Sequence, residues 1–267
     1  MSNNTTSAIT DSEIIAIYIF GILKKQKTVK DIYTYTADHL MEWFPQLGCY
    51  ENFVQRLNRL GDVFVPLIER LQERIPEKYY DHLFRTVDSL PVIMAQRGRR
   101  FTAKVAPNLA DADGYCATKK LYYYGVKVHV IGAYKKGSIP TPEYIGMTAA
   151  GVADRKAYEQ ILPALDPMEL FADKAYQIQN QPLLVEESVE LFTPVKKKPG
   201  QEILDSADKL LSTAISSIRQ PVESFFNWVE EKTKIQMASK VRSAKGLIVH
   251  VFGRLAAAFF SLANIAG

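Results

Sequence analysis

Cysteine is scarce in this chain of 267 residues: Cys49 and Cys116 lie far apart, and neither belongs to a paired-cysteine metal motif. That excludes a disulfide-stapled scaffold and a thiolate zinc cluster. A glycine-rich phosphate loop is missing, so use of a nucleoside triphosphate is not expected. There is no internal repeat and no low-complexity segment. Charge of one sign is not in large excess either, with 33 Lys and Arg against 29 Asp and Glu, a formal +4. Such a balance permits an anionic partner without demanding one. The start "MSNNTTSAIT" is polar and unlike a signal peptide, which together with the cysteine usage predicts a reducing, intracellular setting. Long apolar runs are few. "IIAIYIFGIL" (14–23) suits a buried helix. The tail 246–267 is long enough to span a bilayer, but His250 and Arg254 would be costly at its centre, so a packed C-terminal helix is expected.

What is present changes character near residue 83. The first 80 residues read as helical: Thr10 and Glu13 have capping-box spacing before the apolar run, a second helix is predicted over 28–43, and a third begins at "YENFVQRLNRL". These helices suit a small DNA-binding bundle and a helical cap equally. Beyond residue 83, "FRTVDSLPV", "YYYGVKVHVIGAY" and "PEYIGMTAAG" read as strands. In the second, Val126, Val128 and Val130 alternate with Lys127 and His129. Then follow a helix at "DRKAYEQILPAL" with Asp154 as its N-cap, a strand at "MELFADKAY", a helix at "QNQPLLVEES", a strand at "VELFTPVK", and helices from about 202 onward. The order predicts an α/β fold, a mixed five-stranded sheet flanked by helices, preceded by an all-helical N-terminal domain. The expected division is 1–80 and 81–267.

Two acids stand out. Asp88 interrupts an apolar strand and Asp173 ends another, although aspartate is depleted in strands and an unpaired buried carboxylate is expensive. Each needs a counter-charge, hydrogen-bond donors or a metal. A third carboxylate, Glu223 in "RQPVESFFNWVEEK", borders an apolar stripe of Val222, Phe225, Phe226 and Val229. If Pro221 is the first helical position, Glu223 falls in the first turn. Asp88 and Asp173 are separated by 84 residues, enough for further strands and a crossover helix, so their strands can be neighbours. Three oxygen ligands converging in a cleft match Mg²⁺, which completes its shell with waters and substrate phosphates.

At this point the chain resembles the DDE transposases of bacterial insertion sequences, which have a ribonuclease H-like catalytic core. The resemblance is carried by "VDSLPV", "GYCATKKLYYYGVKVHVIG", "FADKAY" and "IRQPVESFFNWVEEKTKIQMASKVRS", together with the helical start "ITDSEIIAIYIFGILKKQKTVKDIY". It implies that Asp88, Asp173 and Glu223 are the catalytic triad, holding two Mg²⁺ or Mn²⁺ ions. It also implies metal-dependent cleavage at element ends and transfer of the freed 3′-hydroxyl to target DNA. The partners it implies are double-stranded DNA and a second copy of the chain in a synaptic complex, and the setting is the bacterial cytoplasm. Arg219, four residues before Glu223, matches a basic residue common in that segment of the family. The family's tyrosine and lysine positions are Ser216 and Glu230 here, with Lys232 or Lys234 near the latter.

Basic clusters at 97–100, Lys119 and Lys120, Lys135 and Lys136, 196–198 and 239–245 supply candidate phosphate contacts. The residues expected to touch DNA are Arg219, Lys119, Lys120, Lys127, His129, Lys174, Tyr176, Lys196, Lys197, Lys240 and Arg242. Tyr176 reads either as a platform for a base or as a packing lid. Recognition of terminal repeats is expected from the N-terminal helices. Two other readings share these residues: a stand-alone metal-dependent nuclease, and a non-catalytic DNA-binding protein derived from a transposase.

Overall fold

A computed structural model describes residues 9–75, 83–161, 165–177, 189–197 and 199–265. The described chain divides into two compact units, one drawn from 1–75, 104–108 and 229–267 and the other from 76–103 and 109–228. The sequence division at residue 80 grouped 229–267 with the sheet; in the structure these residues belong with the N-terminal helices. The expected helix at 179–188 lies outside the described residues.

The helical unit begins with α1 (Asp11–Leu23), whose N-cap Thr10 and N3 residue Glu13 exchange hydrogen bonds as a capping box. Helix α2 (Val29–His39) repeats the device with Thr28 and Asp31. Helices α3 (Tyr50–Arg59) and α4 (Phe64–Gln72) are separated by a short turn at Gly61–Val63, where the glycine interrupts the helical run. The C-terminal part contributes α8 (Ala244–Ile248), a π-turn at Val249–Gly253, and α9 (Arg254–Ile265). Helix α9 packs on α1 and α4, and Ala256, Ala257, Ala258 and Phe259 are fully buried.

The stretch Ala244–Ala263 is long and apolar enough to cross a membrane, yet 61% of its most apolar window is buried. Its polar residues are placed to suit a core. The Arg254 guanidinium donates to the carbonyls of Lys27 and Thr233, and its Nε to His250 Nδ1. His250 Nε2 in turn reaches the Ile235 carbonyl at 2.8 Å. A neutral imidazole with its proton on Nε2 satisfies both bonds. Burial and the neighbouring Arg254 charge favour that form, pushing the His250 pKa down to about 3.

The other unit holds the sheet. Its strands are β1 (Phe84–Gln96), β2 (Asp111–Cys116), β3 (Leu121–Ala133), β4 (Thr141–Ala149), β5 (Met168–Phe171) and β6 (Val189–Phe192). The order is β2-β3-β1-β5-β6, with β4 also on β3. Strands β1 to β4 pair antiparallel, while β5 joins β1 and β6 joins β5 in parallel. The sheet is thus mixed, as the sequence predicted, but has six strands among the described residues rather than five. The additional strand is β2, "DADGYC". Two aspartates and a glycine hide it from any propensity argument, and its register on β3 shifts between Asp111 and Gly114.

Strand β3 is long enough to serve two partners on one edge. Leu121 to Gly125 pair with β2, and Val126 to Ala133 pair with β4. The changeover at Gly125 faces a bulge in β1 between Ile93 and Ala95. A Cβ at Gly125 would lie 2.1 Å from the Val92 carbonyl oxygen, so only glycine fits that crossing.

Each strand places alternate residues on opposite faces. On one face Val87, Ile131, Leu170 and Ala172 form a core with Tyr158 of α5 (Asp154–Ile161) and with Tyr176. Toward the other face turn Thr86 and Asp88, and α6 (Ser206–Arg219) lies over β1 and β5. Helix α7 (Pro221–Thr233) follows.

Candidate active site

The two strand aspartates are brought together by register. Strands β1 and β5 pair in parallel through Phe84 with Glu169, Arg85 with Leu170, and Thr86 with Phe171. Asp88 lies two residues beyond Thr86, and Asp173 two residues beyond Phe171. Both acids therefore stand on the same face, Asp88 within β1 and Asp173 just past the end of the neighbouring β5. Asp173 keeps extended backbone and caps the short turn Lys174–Tyr176, its Oδ1 accepting from Lys174 N at 2.7 Å. Asp88 Oδ1 accepts from Ser89 N at 2.8 Å.

The third acid arrives from a joint between helices. Helix α6 ends at Arg219, Gln220 is the link, and Pro221 is the first residue of α7. Proline fits there because its fixed φ suits the first turn and its missing N–H has no helical partner to lose. Glu223 is thereby held in the first turn of α7. On the apolar side of the same helix Val222, Phe225, Phe226 and Val229 are buried, and Trp228 stacks on Phe225 with centroids 6.3 Å apart. These contacts fix the helix that carries Glu223.

Arg219 ties the elements into one constellation. Its Nη1 donates to Asp88 Oδ2 at 3.0 Å and its Nη2 to Glu223 Oε1 at 2.6 Å. The arginine side chain is 16% exposed, Asp88 22% and Glu223 54%. Burial opposes the Arg219 charge, but Asp88 and Glu223 outweigh it and raise the guanidinium pKa further. For Asp88 the balance is different. Burial pushes its pKa up to about 6, the carboxylates of Asp154 and Asp173 add to the rise, and Ser89 N–H and Arg219 oppose it. This carboxylate is held where ionisation is expensive, and the Arg219 charge offsets its burial only in part.

Asp154 is the residue that the sequence reading assigned to a different job. It was expected to cap α5; instead its Oδ1 accepts from Lys127 Nζ at 2.6 Å and from Ser89 Oγ at 3.1 Å. The aspartate is pulled toward the sheet because Lys127 leaves β3 with its side chain only 14% exposed and needs a counter-charge. No local pattern signals this: the partners are 27 and 65 positions away.

Several expected DNA contacts lie elsewhere than on an open face. Lys127 is committed to Asp154. His129 is half-buried, with Nε2 2.8 Å from Thr148 Oγ1, and burial together with the Lys127 charge lowers its pKa to about 4. It lines a cavity of about 290 Å³ between the sheet and α5, with Val87, Ile131, Tyr144, Tyr158 and Tyr176. Tyr176 is 1% exposed and packs edge-on against Tyr158, so in this structure it sits as a packing lid with no open face for a base. Its hydroxyl is buried without a hydrogen-bond partner, and burial with three nearby carboxylates holds the phenol well above its ordinary pKa.

The remaining candidates are exposed. Lys119 and Lys120 sit on the β2–β3 turn, Lys174 follows Asp173, and Lys196 and Lys197 follow β6. Lys240 and Arg242 are exposed in the helical unit. Lys198 lies outside the described residues.

Among the described residues no group of three His, Cys, Asp or Glu side chains is close enough, as arranged, to hold a metal ion. The chemistry of the acids nonetheless fits a hard divalent cation. Asp88 is a half-buried carboxylate raised in pKa chiefly by desolvation and further by neighbouring acids, and the positive charge bridging it to Glu223 comes from Arg219. A family model described as "Transposase DDE domain" matches residues 82–243, a span that includes Asp88, Asp154, Asp173, Arg219 and Glu223. No curated protein and no solved structure matches the chain.

Proposed function

The chain belongs to the transposase DDE-domain family, and from that premise we propose that it is the transposase of an insertion sequence, cutting DNA at the element's ends and joining the 3′-hydroxyl to target DNA. The observation that supports the reading is that Asp88 and Asp173 share a face on neighbouring strands while Arg219 bonds both Asp88 and Glu223. No nucleophile from the protein is needed, because water and the DNA hydroxyl serve.

In this reading Asp88, Asp173 and Glu223 would hold two Mg²⁺ or Mn²⁺ ions, which would supply activation of the attacking oxygen and stabilisation of the leaving one. Asp88, partly desolvated and destabilised as an anion, is the acid that gains most from a nearby positive charge. Glu223, more open than Asp88, completes the set from α7. Arg219 neutralises Asp88 and Glu223 in the free chain and turns to a phosphate oxygen when DNA enters. Lys127 and Asp154 brace the first strand from the other side through Ser89.

The exposed Lys119, Lys120, Lys174, Lys196 and Lys197 contact phosphates on the sheet unit, and Lys240 and Arg242 do so on the helical one. The N-terminal helices recognise the terminal repeats, two copies of the chain synapse two ends, and the protein works in the bacterial cytoplasm. The test is nicking of a DNA fragment carrying both flanks of the gene. Asp88→Asn is expected to bind the ends with wild-type affinity and to cleave neither strand. Metal-dependent cleavage by that variant would refute the site. A stand-alone nuclease would cut without joining ends to a target plasmid, and a non-catalytic descendant would bind without cutting.

A further inference from the structure

Large aromatic side chains are usually covered, and a contiguous exposed group of them marks an interaction surface. One such group lies on the sheet unit. Phe101 is 70% exposed, Tyr115 53% and Tyr122 56%. The Arg100 guanidinium links them, 4.0 Å from the Phe101 ring centroid and 5.0 Å from that of Tyr122. Tyr122 in turn lies 4.8 Å from Tyr115. Arg100 is itself anchored, with Nη1 donating to the Ala112 carbonyl at 2.7 Å. The result is an unbroken row of flat groups along the β2–β3 hairpin and the turn Arg97–Phe101.

Hairpin stability explains part of this row. Tyr115 and Tyr122 are directly paired across β2 and β3, and such aromatic pairs strengthen a two-stranded edge. That account leaves Phe101 unexplained, because it belongs to a separate turn and is the most exposed of the three. The exposed charge on the two turns that flank the row has one sign. Arg97 and Arg99 are exposed on the Phe101 turn, and Lys119 and Lys120 on the hairpin turn. Of the acids of β2, Asp111 is engaged elsewhere, accepting from the Gly151 and Asp113 amides.

We propose that Arg100, Phe101, Tyr115 and Tyr122 form a stacking platform for an unpaired stretch of DNA, whose phosphates lie along Arg97, Arg99, Lys119 and Lys120. The choice of DNA rests on the transposase reading; the choice of unpaired bases rests on the row itself, since stacking needs exposed base faces that an intact duplex does not offer. The cations supply a salt-dependent attraction for any strand, and the rings supply the preference for a single one.

The experiment is fluorescence anisotropy of the full chain with fluorescein-labelled (dT)12 and with a blunt 12-base-pair duplex, in EDTA. Wild type is expected to bind (dT)12, and Tyr122→Ala to weaken it about 5- to 150-fold, the range for loss of one base–aromatic stack. Duplex affinity should change less than twofold. Phe101→Ala, on an exposed turn where folding is not at stake, should behave the same way. Tyr122→Phe, which keeps the ring, should stay within twofold of wild type. Absence of (dT)12 binding by wild type, or equal losses on single strand and duplex, would overturn the platform. No cleavage enters this measurement. A chain that shows the pattern yet never nicks its ends would refute the transposase reading alone, and a chain that nicks but lacks the pattern would refute the platform alone.

Discussion

Asp88→Asn should make the metal-free protein more stable at neutral pH while destroying its chemistry. The carboxyl of Asp88 moves from 3.8 to about 6 on folding, chiefly through burial. A carboxyl with a raised folded pKa favours the folded state only while protonated. Its stabilising contribution is complete below about pH 4 and is lost as pH rises through about 6. At 1.36 kcal/mol for each pH unit, the ionised side chain costs the fold about 3 kcal/mol above pH 7. Asparagine has the same shape and never ionises, so the variant escapes that cost. Urea unfolding in EDTA, followed through Trp228 in a Trp43→Phe background, reports on α7 and the sheet unit. The stability difference in favour of Asn should grow from near its acid value at pH 4 to about 3 kcal/mol more at pH 7.5. A difference that stays flat between those pH values would refute the electrostatic account of the site.

Lys127→Met should strand Asp154 in a half-buried position and cost about 3 kcal/mol, while adding Asp154→Leu should recover much of the loss, as measured by urea unfolding of the single and double variants. Equal losses that simply add would contradict the pairing. Arg254→Met should leave the Lys27 and Thr233 carbonyls without a donor and lower stability by about 2–5 kcal/mol, read from the denaturation midpoint of the helical unit. A change below about 0.5 kcal/mol would show those carbonyls to be otherwise satisfied.

How much of this was legible beforehand depends on how local each feature is. The Thr10–Glu13 capping box, the alternation of Val126, Val128 and Val130, and Pro221 as the start of α7 are set by neighbours within a few residues, and each was readable. The strand aspartates were readable because their residue type contradicts their surroundings. Strand β2 was not, since "DADGYC" is held by the free edge of β3 rather than by its own propensity. Asp154 was misassigned because an aspartate opening a helix fits a cap, and nothing nearby reveals Lys127 on a distant strand. Tyr176 could be read either way, since a tyrosine after a strand has the same sequence signature whether it covers a core or faces solvent. The bridge from Arg219 to Asp88 spans 131 positions and exists only once the helix joint has formed.

The central claim is that Asp88, Asp173 and Glu223 act as one site for phosphodiester cleavage. It is tested most directly by comparing Asp88→Asn, Asp173→Asn and Glu223→Gln with wild type on DNA carrying both flanks of the gene, in Mg²⁺ and in Mn²⁺. Each variant is predicted to bind the ends as wild type does and to lose metal-dependent nicking entirely. Nicking that survives in any one of the three, in a folded protein, would contradict the claim.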